Sequence, residues 1–116
     1  MTEHDIQNLI RLELSKHGKV FRTNAGEFWQ GTQVFSKQYN RPVLLNIRKV
    51  AGLPQGFSDL LFIDEKGAAF IEVKTPVGVV SREQERFIEQ MQQLGQRAGV
   101  ARSVEDALNI IKGEAI

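Results

Sequence analysis

The chain has 116 residues, 41% of them hydrophobic and 25% charged, which is typical of a single globular domain spanning residues 1–116. It contains no cysteine, which excludes disulfides, thiolate metal sites and cysteine nucleophiles. The formal net charge is only +1, but residues 1–50 hold eight Lys and Arg against four Asp and Glu, whereas residues 51–116 hold seven against ten. A basic surface beside a group of acids suits an enzyme that acts on nucleic acid.

The first half of the chain predicts one helix followed by strands. Thr2 is the expected N-cap of the helix, with Glu3 in its first turn, and apolar residues recur at helical spacing to about His17. The polar and aromatic segment after it has a weak pattern, and "AGLPQG" reads as a loop. Strands are expected at 19–23, near 32–35 and at 43–47.

The stretch "GFSDLLFIDEKGAAFIEVKTP", residues 56–76, predicts a β-hairpin with charged residues inside apolar strands. A turn centred between Glu65 and Lys66 gives antiparallel partners whose numbers sum to about 131. Asp59 then lies opposite Glu72, and both share a face with Lys74.

Two carboxylates about 5 Å apart repel by roughly 3 kcal/mol at an effective dielectric constant near 20. Three compensations are open at this point: a proton held by one acid, the charge of Lys74, or a divalent cation between the acids. The competing interpretation is a solvated hairpin face with weak surface pairing between Glu72 and Lys74.

The second half continues with a helix, a strand and a final helix. Ser81 is the expected cap of the first, with Gln84 in its first turn, and Ser103 or the acids that follow it are the expected start of the last. The strand between them is expected at 98–103. The whole order predicts an α/β fold in which helices flank a mixed β-sheet.

Several motifs together resemble a known family: "FRTNAG", "GLPQGFSDLLFI", "AAFIEVKTPVGVVSREQERFI" and "GVARSVEDAL". The chain resembles the VRR-NUC domains, the virus-type replication-repair nucleases of the PD-(D/E)xK superfamily, over nearly its whole length. Ser58 stands where the pattern that names the superfamily has proline. The resemblance implies a restriction-endonuclease-like core, ordered α-β-β-β-α-β-α, and a metal-dependent DNA endonuclease.

The resemblance also implies the finer function. Stand-alone members resemble Holliday junction resolvases involved in DNA repair, and they act as homodimers on branched DNA. The alternatives are a nickase or restriction-type duplex nuclease, or a DNA-binding subunit without catalysis. No apolar run reaches the roughly 18–20 residues of a membrane span, and no secretory signal is visible. We therefore expect the cytoplasm of a bacterial or phage-infected cell.

Carried over by motif, Asp59 and Glu72 are the expected ligands of Mg²⁺, with Mn²⁺ as a substitute. The carbonyl of Val73, between the two charged positions of its strand, is a further ligand candidate. The superfamily places a glutamate on its first helix, for which Glu3 and Glu13 compete. Glu3 is preferred because the pattern of stand-alone members begins there.

The remaining catalytic and DNA-binding candidates follow the same resemblance. Lys74 is expected to orient or help deprotonate the attacking water, and Gln84 to support the site or contact phosphate. Phe28, Trp29 and Tyr39 are either base-stacking residues or packing contacts. Candidate contacts to the DNA backbone are Arg22, Asn24, Lys37, Arg41, Arg48 and Lys49.

Overall fold

The computed structural model describes residues 1–113, and for Glu27 the backbone alone; the last three residues of the predicted domain lie outside the described residues. The elements follow the predicted order. They are α1 (Glu3–Leu14), β1 (Lys19–Arg22), β2 (Glu27–Ser36), β3 (Arg41–Ala51), β4 (Leu60–Asp64), β5 (Gly67–Val73), α2 (Arg82–Gln93), β6 (Arg97–Ala101) and α3 (Val104–Lys112).

The first helix begins as predicted and ends earlier than predicted. The Thr2 hydroxyl accepts the N–H of Asp5 at 3.1 Å, and the Asp5 carboxylate accepts the N–H of Thr2 at 3.0 Å. The helix stops at Leu14 rather than near His17. The chain must turn there because Gly18 lies against the Ile63 carbonyl, where a side chain has no room.

Four strands form one mixed sheet in the order β1-β4-β5-β6. The pairs β1–β4 and β4–β5 are antiparallel, and β5–β6 is parallel. With the three helices these strands give the order α-β-β-β-α-β-α, so the predicted fold class is confirmed. We call this unit, residues 1–26 and 52–113, the body.

The two faces of the body sheet are covered differently. One face carries the apolar residues of β4 and β5 and packs against α1 and α3. The other face is covered by α2 through three aromatic rings, Phe57, Phe70 and Phe87, whose centroids lie 4.6–5.8 Å apart. The buried cluster under α1 and α3 consists of Ile6, Ile10, Leu14, Leu60, Phe62, Ala69, Ile71, Val73, Ala101, Ala107, Ile110 and Ile111.

Strands β2 and β3 form a separate two-stranded ribbon, which we call the arm (residues 27–51). The strands predicted near 32–35 and at 43–47 are present, but both are about twice as long as expected. A bulge interrupts the pairing between Gln30 and Thr32, and Asn46 opposite it has a φ of 52°. Because the arm projects, the radius of gyration is 16.9 Å rather than the roughly 13 Å of a compact domain.

The arm leaves large apolar side chains in water. Trp29, Phe35 and Ile47 are 59%, 62% and 54% exposed. An isolated two-stranded ribbon is only marginally stable by itself. The base of the arm is held by backbone hydrogen bonds that join Asn24 and Gly26 to the segment at Gly52 and Leu53. Among the described residues, no helix has the length and apolar character needed to cross a bilayer.

Candidate active site

The hairpin β4–β5 has the predicted register. Leu60 pairs with Ile71 and Asp64 with Gly67, so partner numbers sum to 131. Asp59 immediately precedes β4, and its carboxylate Oδ2 accepts the N–H of Val73 at 2.9 Å. This bond holds Asp59 beside Glu72, and the two acids therefore meet where the hairpin joins its loops.

Glu72 is a buried acid with 1% of its surface exposed. Burial is the main cause that raises the pKa of Glu72 to about 8, and the neighbouring charge of Asp59 raises it further. Lys74 acts in the opposite direction. The two acids thus interact strongly, as their opposed positions predict.

The two oxygens of Glu72 have different surroundings. Oε1 accepts a hydrogen bond of 2.7 Å from Gln84 Nε2. The orientation of that amide is fixed, because Gln84 Oε1 accepts the N–H of Ser81 at 2.9 Å in the capping box of α2. Oε2 of Glu72 is buried and has no hydrogen-bond donor among the described residues.

The helix that carries Gln84 is positioned by packing. Phe87, three residues on, faces the sheet and lies 4.6 Å from the ring of Phe57. Gly56 has a φ of 92°, and a methyl group on it would lie 2.6 Å from the Glu83 carbonyl. The loop therefore lies directly on the first turn of α2, which holds Gln84 over Glu72.

A cleft of about 700 Å³ opens beside these residues. Asp59, Ser81 and Gln84 contribute its polar groups. Much of the rest is small or backbone surface at the base of the arm, which leaves room for a bulky substrate. Its other lining residues are Ala25, Gly26, Ala51, Gly52, Leu53, Pro54, Gln55, Gly56 and Phe57.

One observation indicates that the site fits a divalent cation. The buried Oε2 of Glu72 lacks a hydrogen-bond donor among the described residues, and it lies near a second carboxylate, that of Asp59. Mg²⁺ usually takes one or two carboxylates and completes its ligands with water and phosphate oxygens. Asp59 and Glu72 supply two such carboxylates. No group of three or more His, Asp or Glu side chains capable of holding a metal occurs within the described residues, and the Val73 carbonyl stays a prediction.

The first-helix acids lie apart from this pair. Glu3 is exposed in the first turn of α1, and its role as a ligand stays a prediction. Glu13 pairs with Lys16 and His17 at 3.3 Å each, and hydrogen bonds from both lower its pKa. The polar residue that α1 does turn inward is Gln7, whose buried Oε1 has no donor among the described residues.

The predicted DNA contacts fall into two groups. Arg22 and Asn24 lie beside the site, because Arg22 pairs with Leu60 and the adjacent Thr23 donates its N–H to the Asp59 carbonyl at 2.9 Å. The other four, Lys37, Arg41, Arg48 and Lys49, lie on the arm. Their contact with DNA stays a prediction.

Two arm cations have neighbours within the arm. Arg48 donates to the side-chain oxygen of Gln30 at 2.7 and 3.2 Å. Lys49 lies 5.8 Å from the ring centre of Trp29, its direct partner across the ribbon. Phe28 and Trp29 belong to β2, and Tyr39 to the turn that follows it.

Sequence reasoning missed Arg102, whose Nη1 donates to the carbonyls of Thr75 and Gly78 at 2.5 and 2.8 Å. It thereby fixes the loop after Lys74. The arginine is distant in sequence from the motifs and gives no local signal. The close approach of Gly56 to α2 was also missed, although a glycine three residues before Asp59 was a visible signal.

A family model for the VRR-NUC domain matches residues 1–105 of the 116. The chain belongs to the VRR-NUC domain family. The resemblance seen in the sequence is therefore confirmed, and with it a nuclease whose substrate is DNA. Nucleases of the PD-(D/E)xK type generally use divalent metals, in keeping with the paired acids of this VRR-NUC domain. A comparison with curated proteins found no match.

Proposed function

We propose that this VRR-NUC domain is a metal-dependent, structure-selective DNA endonuclease that resolves four-way junctions as a homodimer. One observation carries the proposal: Asp59, which lines the cleft, lies beside the buried Glu72, with Lys74 close enough to oppose the rise of the Glu72 pKa. A structural role alone does not account for two neighbouring carboxyl groups, one of them buried with its pKa raised to about 8. Cleavage of a phosphodiester bond does, because it needs acidic metal ligands beside a cation.

The chain's own residues would divide the work at the cleaved phosphate. Asp59 and Glu72 would hold Mg²⁺ or Mn²⁺, which when bound polarises the phosphate and lowers the pKa of a water. Gln84 keeps Glu72 Oε1 occupied, so that Oε2 is the oxygen available to a ligand. Lys74 would donate a hydrogen bond from its ammonium group to the water or to the charge that develops on the phosphate.

The arm would supply affinity for the DNA backbone. Residues 28–51 contain four cations, Lys37, Arg41, Arg48 and Lys49, and no acid. Their charge favours any nucleic acid and carries no information on its sequence. Arg22 and Asn24 would extend this basic surface to the catalytic pair.

One surface of the arm supports the homodimer. Phe35 pairs with Pro42 and Gln33 with Leu44, and Trp29 and Ile47 lie on the same side of the ribbon. Trp29, Pro42, Leu44 and Ile47 also line one shallow depression. Exposed apolar surface of this kind marks interaction sites. A second copy covering it would place two active sites on one junction.

The test is a cleavage assay on labelled four-way junction, flap, nicked and linear duplex DNA with Mg²⁺, Mn²⁺ or Ca²⁺. The chain should cut the junction in paired symmetric positions, and Lys74→Ala should abolish the cutting. Lys66→Ala is the matched control, since Lys66 is an exposed lysine of the same hairpin. It should cut as the unsubstituted chain does.

Other patterns of product assign other functions. Cutting of linear duplex alone indicates a restriction-type enzyme or nickase. Binding without cutting under every metal indicates a non-catalytic DNA-binding subunit. A monomeric mass by light scattering in the presence of junction would contradict the homodimer while leaving the nuclease assignment intact.

A further inference from the structure

The loop between the catalytic lysine and the second helix exposes apolar side chains beside the site. Val77 and Val79 are 89% and 84% exposed, among the highest values of the described large apolar residues. Both lie within five residues of Lys74. Two exposed valines in one short loop beside a candidate active site form an apolar projection that a bound substrate can cover.

This loop is held rigidly. The Gly78 N–H donates to the Thr75 carbonyl at 3.1 Å, which closes a turn. Arg102 binds the carbonyls of Thr75 and Gly78 from behind, and Lys74 donates its N–H to the Ala101 carbonyl at 3.1 Å. We call residues 75–80 the valine turn. These hydrogen bonds fix the backbone of the turn from Thr75 to Gly78.

The valine turn also lies directly against the catalytic lysine. A methyl group on Gly78 would lie 3.5 Å from Lys74 Cβ and 3.1 Å from Thr75 Oγ1. Valine side chains are stiff about χ1, so two of them on a fixed turn lose little entropy when they dock. The turn thus presents two exposed apolar side chains close to Lys74 along the chain.

The charges around the turn identify its partner. Within residues 73–82 the chain contains the cations Lys74 and Arg82 and no acid; of the adjoining acids, Glu72 is buried and Glu83 follows Arg82 in the first turn of α2. Cations on both sides of an apolar projection match a nucleic acid, in which phosphates flank apolar base faces. Apolar side chains inserted between base pairs unstack them and kink the duplex.

We propose that the valine turn inserts Val77 and Val79 against a base step next to the cleaved phosphate and holds that step unstacked. The inference rests on the proposed nuclease function, and it adds how the site selects its substrate. Steps that are already distorted, as at a branch or a nick, need less energy for unstacking. The turn therefore favours distorted DNA over regular duplex.

The experiment places 2-aminopurine, whose fluorescence rises when it is unstacked, at successive positions around the branch of a four-way junction. Fluorescence is read with the Lys74→Ala chain in Ca²⁺, so that the DNA stays uncut. We expect a rise at one or two neighbouring positions, and its loss in the same chain with Val77→Ser and Val79→Ser. The Val77→Leu, Val79→Leu pair should keep the rise.

In the chain that retains Lys74, the double serine substitution should lower cleavage of the junction by about tenfold, the scale of one base-stacking interaction. Leu94→Ser is the matched control. Leu94 is 70% exposed and lies at the far end of α2, about 20 Å from Ser81, and it should change neither readout. All of these variants should keep the unfolding temperature, because the positions are exposed.

An unchanged fluorescence rise in the double serine variant would overturn the inference. So would loss of a dimer in that variant, which would assign the turn to contact with a second copy. A chain that cuts no DNA, yet shows the valine-dependent rise, would refute the nuclease function and retain the turn as a DNA contact.

Discussion

The body and the arm are both built on β-strands, but the body buries its apolar side chains and the arm exposes them. The body covers both faces of its sheet with helices and buries Phe62, Ile71 and Val73 completely. The arm is a longer pair of strands against which no helix of the described residues packs, and it keeps Trp29 and Phe35 more than half exposed. The packed body can hold two acidic side chains in fixed positions close to each other. The projecting arm can instead extend along a large ligand.

The charges divide in the same way. The arm's residues 28–51 carry four cations and no acid, whereas the body holds the buried Glu72 and its neighbour Asp59. We therefore expect substitutions in the body to change stability and the rate of chemistry, and substitutions in the arm to change affinity.

The largest contrast is expected from one aromatic residue in each region. Phe62→Ala empties a fully buried position and should lower the free energy of unfolding by about 3–5 kcal/mol. Phe35→Ala, at a position 62% exposed, should lower it by less than about 1 kcal/mol. Urea unfolding at low protein concentration measures both. Equal losses would mean that the arm is packed into the body.

The second contrast separates chemistry from stability. Asp59→Asn should reduce cleavage by about 10²–10³-fold, the usual cost of removing a charged group that stabilises a transition state. Above about pH 8, where Glu72 is ionised in the folded chain, the metal-free protein should become more stable, because the repulsion of Glu72 is removed while an oxygen remains to accept the Val73 N–H. Glu65→Gln, in the turn of the same hairpin, is the control, with neither effect expected. A loss of stability in the Asp59→Asn variant would contradict the expected repulsion between Asp59 and Glu72.

The pH dependence of the body tests the buried acid. The pKa of Glu72 is raised from 4.5 to about 8 in the folded chain, so between these values the folded state holds a proton that the unfolded state has released. The metal-free protein should therefore lose stability as the pH rises from 5 toward 8. Glu72→Gln should remove that loss. Thermal unfolding in the presence of EDTA measures the change of stability with pH. An identical pH profile in the variant would contradict the prediction.

The smallest expected effect is in the arm. Lys37→Ala with Arg41→Ala should reduce the slope of log affinity against log salt by about two, because each cation that neutralises a phosphate adds about 0.9 to that slope. The matched control, Lys16→Ala with Lys112→Ala, removes two cations from the ends of α1 and α3 and should leave the slope unchanged. Titration of labelled duplex between about 50 and 200 mM salt measures it. Equal slopes in both variants would remove the arm from the DNA interface.

Much of the body could be predicted because its signals are local. Thr2, Ser81 and Ser103 cap helices as their neighbours along the chain predict. The hairpin register followed from its turn, and the opposition of Asp59 and Glu72 followed from the register. The arm was predicted poorly, since an exposed ribbon has no core to impose alternation of apolar and polar residues.

The sequence by itself determined the order of the elements, the pairing of the hairpin and the acids that face each other across it, because caps, turns and strand periodicity act over a few residues. Tertiary structure alone decided that Gln84 occupies one oxygen of Glu72 and leaves the other without a donor among the described residues. It also decided that Arg102 fixes the valine turn and that the arm stands clear of the body. These depend on residues distant along the chain, and only packing brings such residues together.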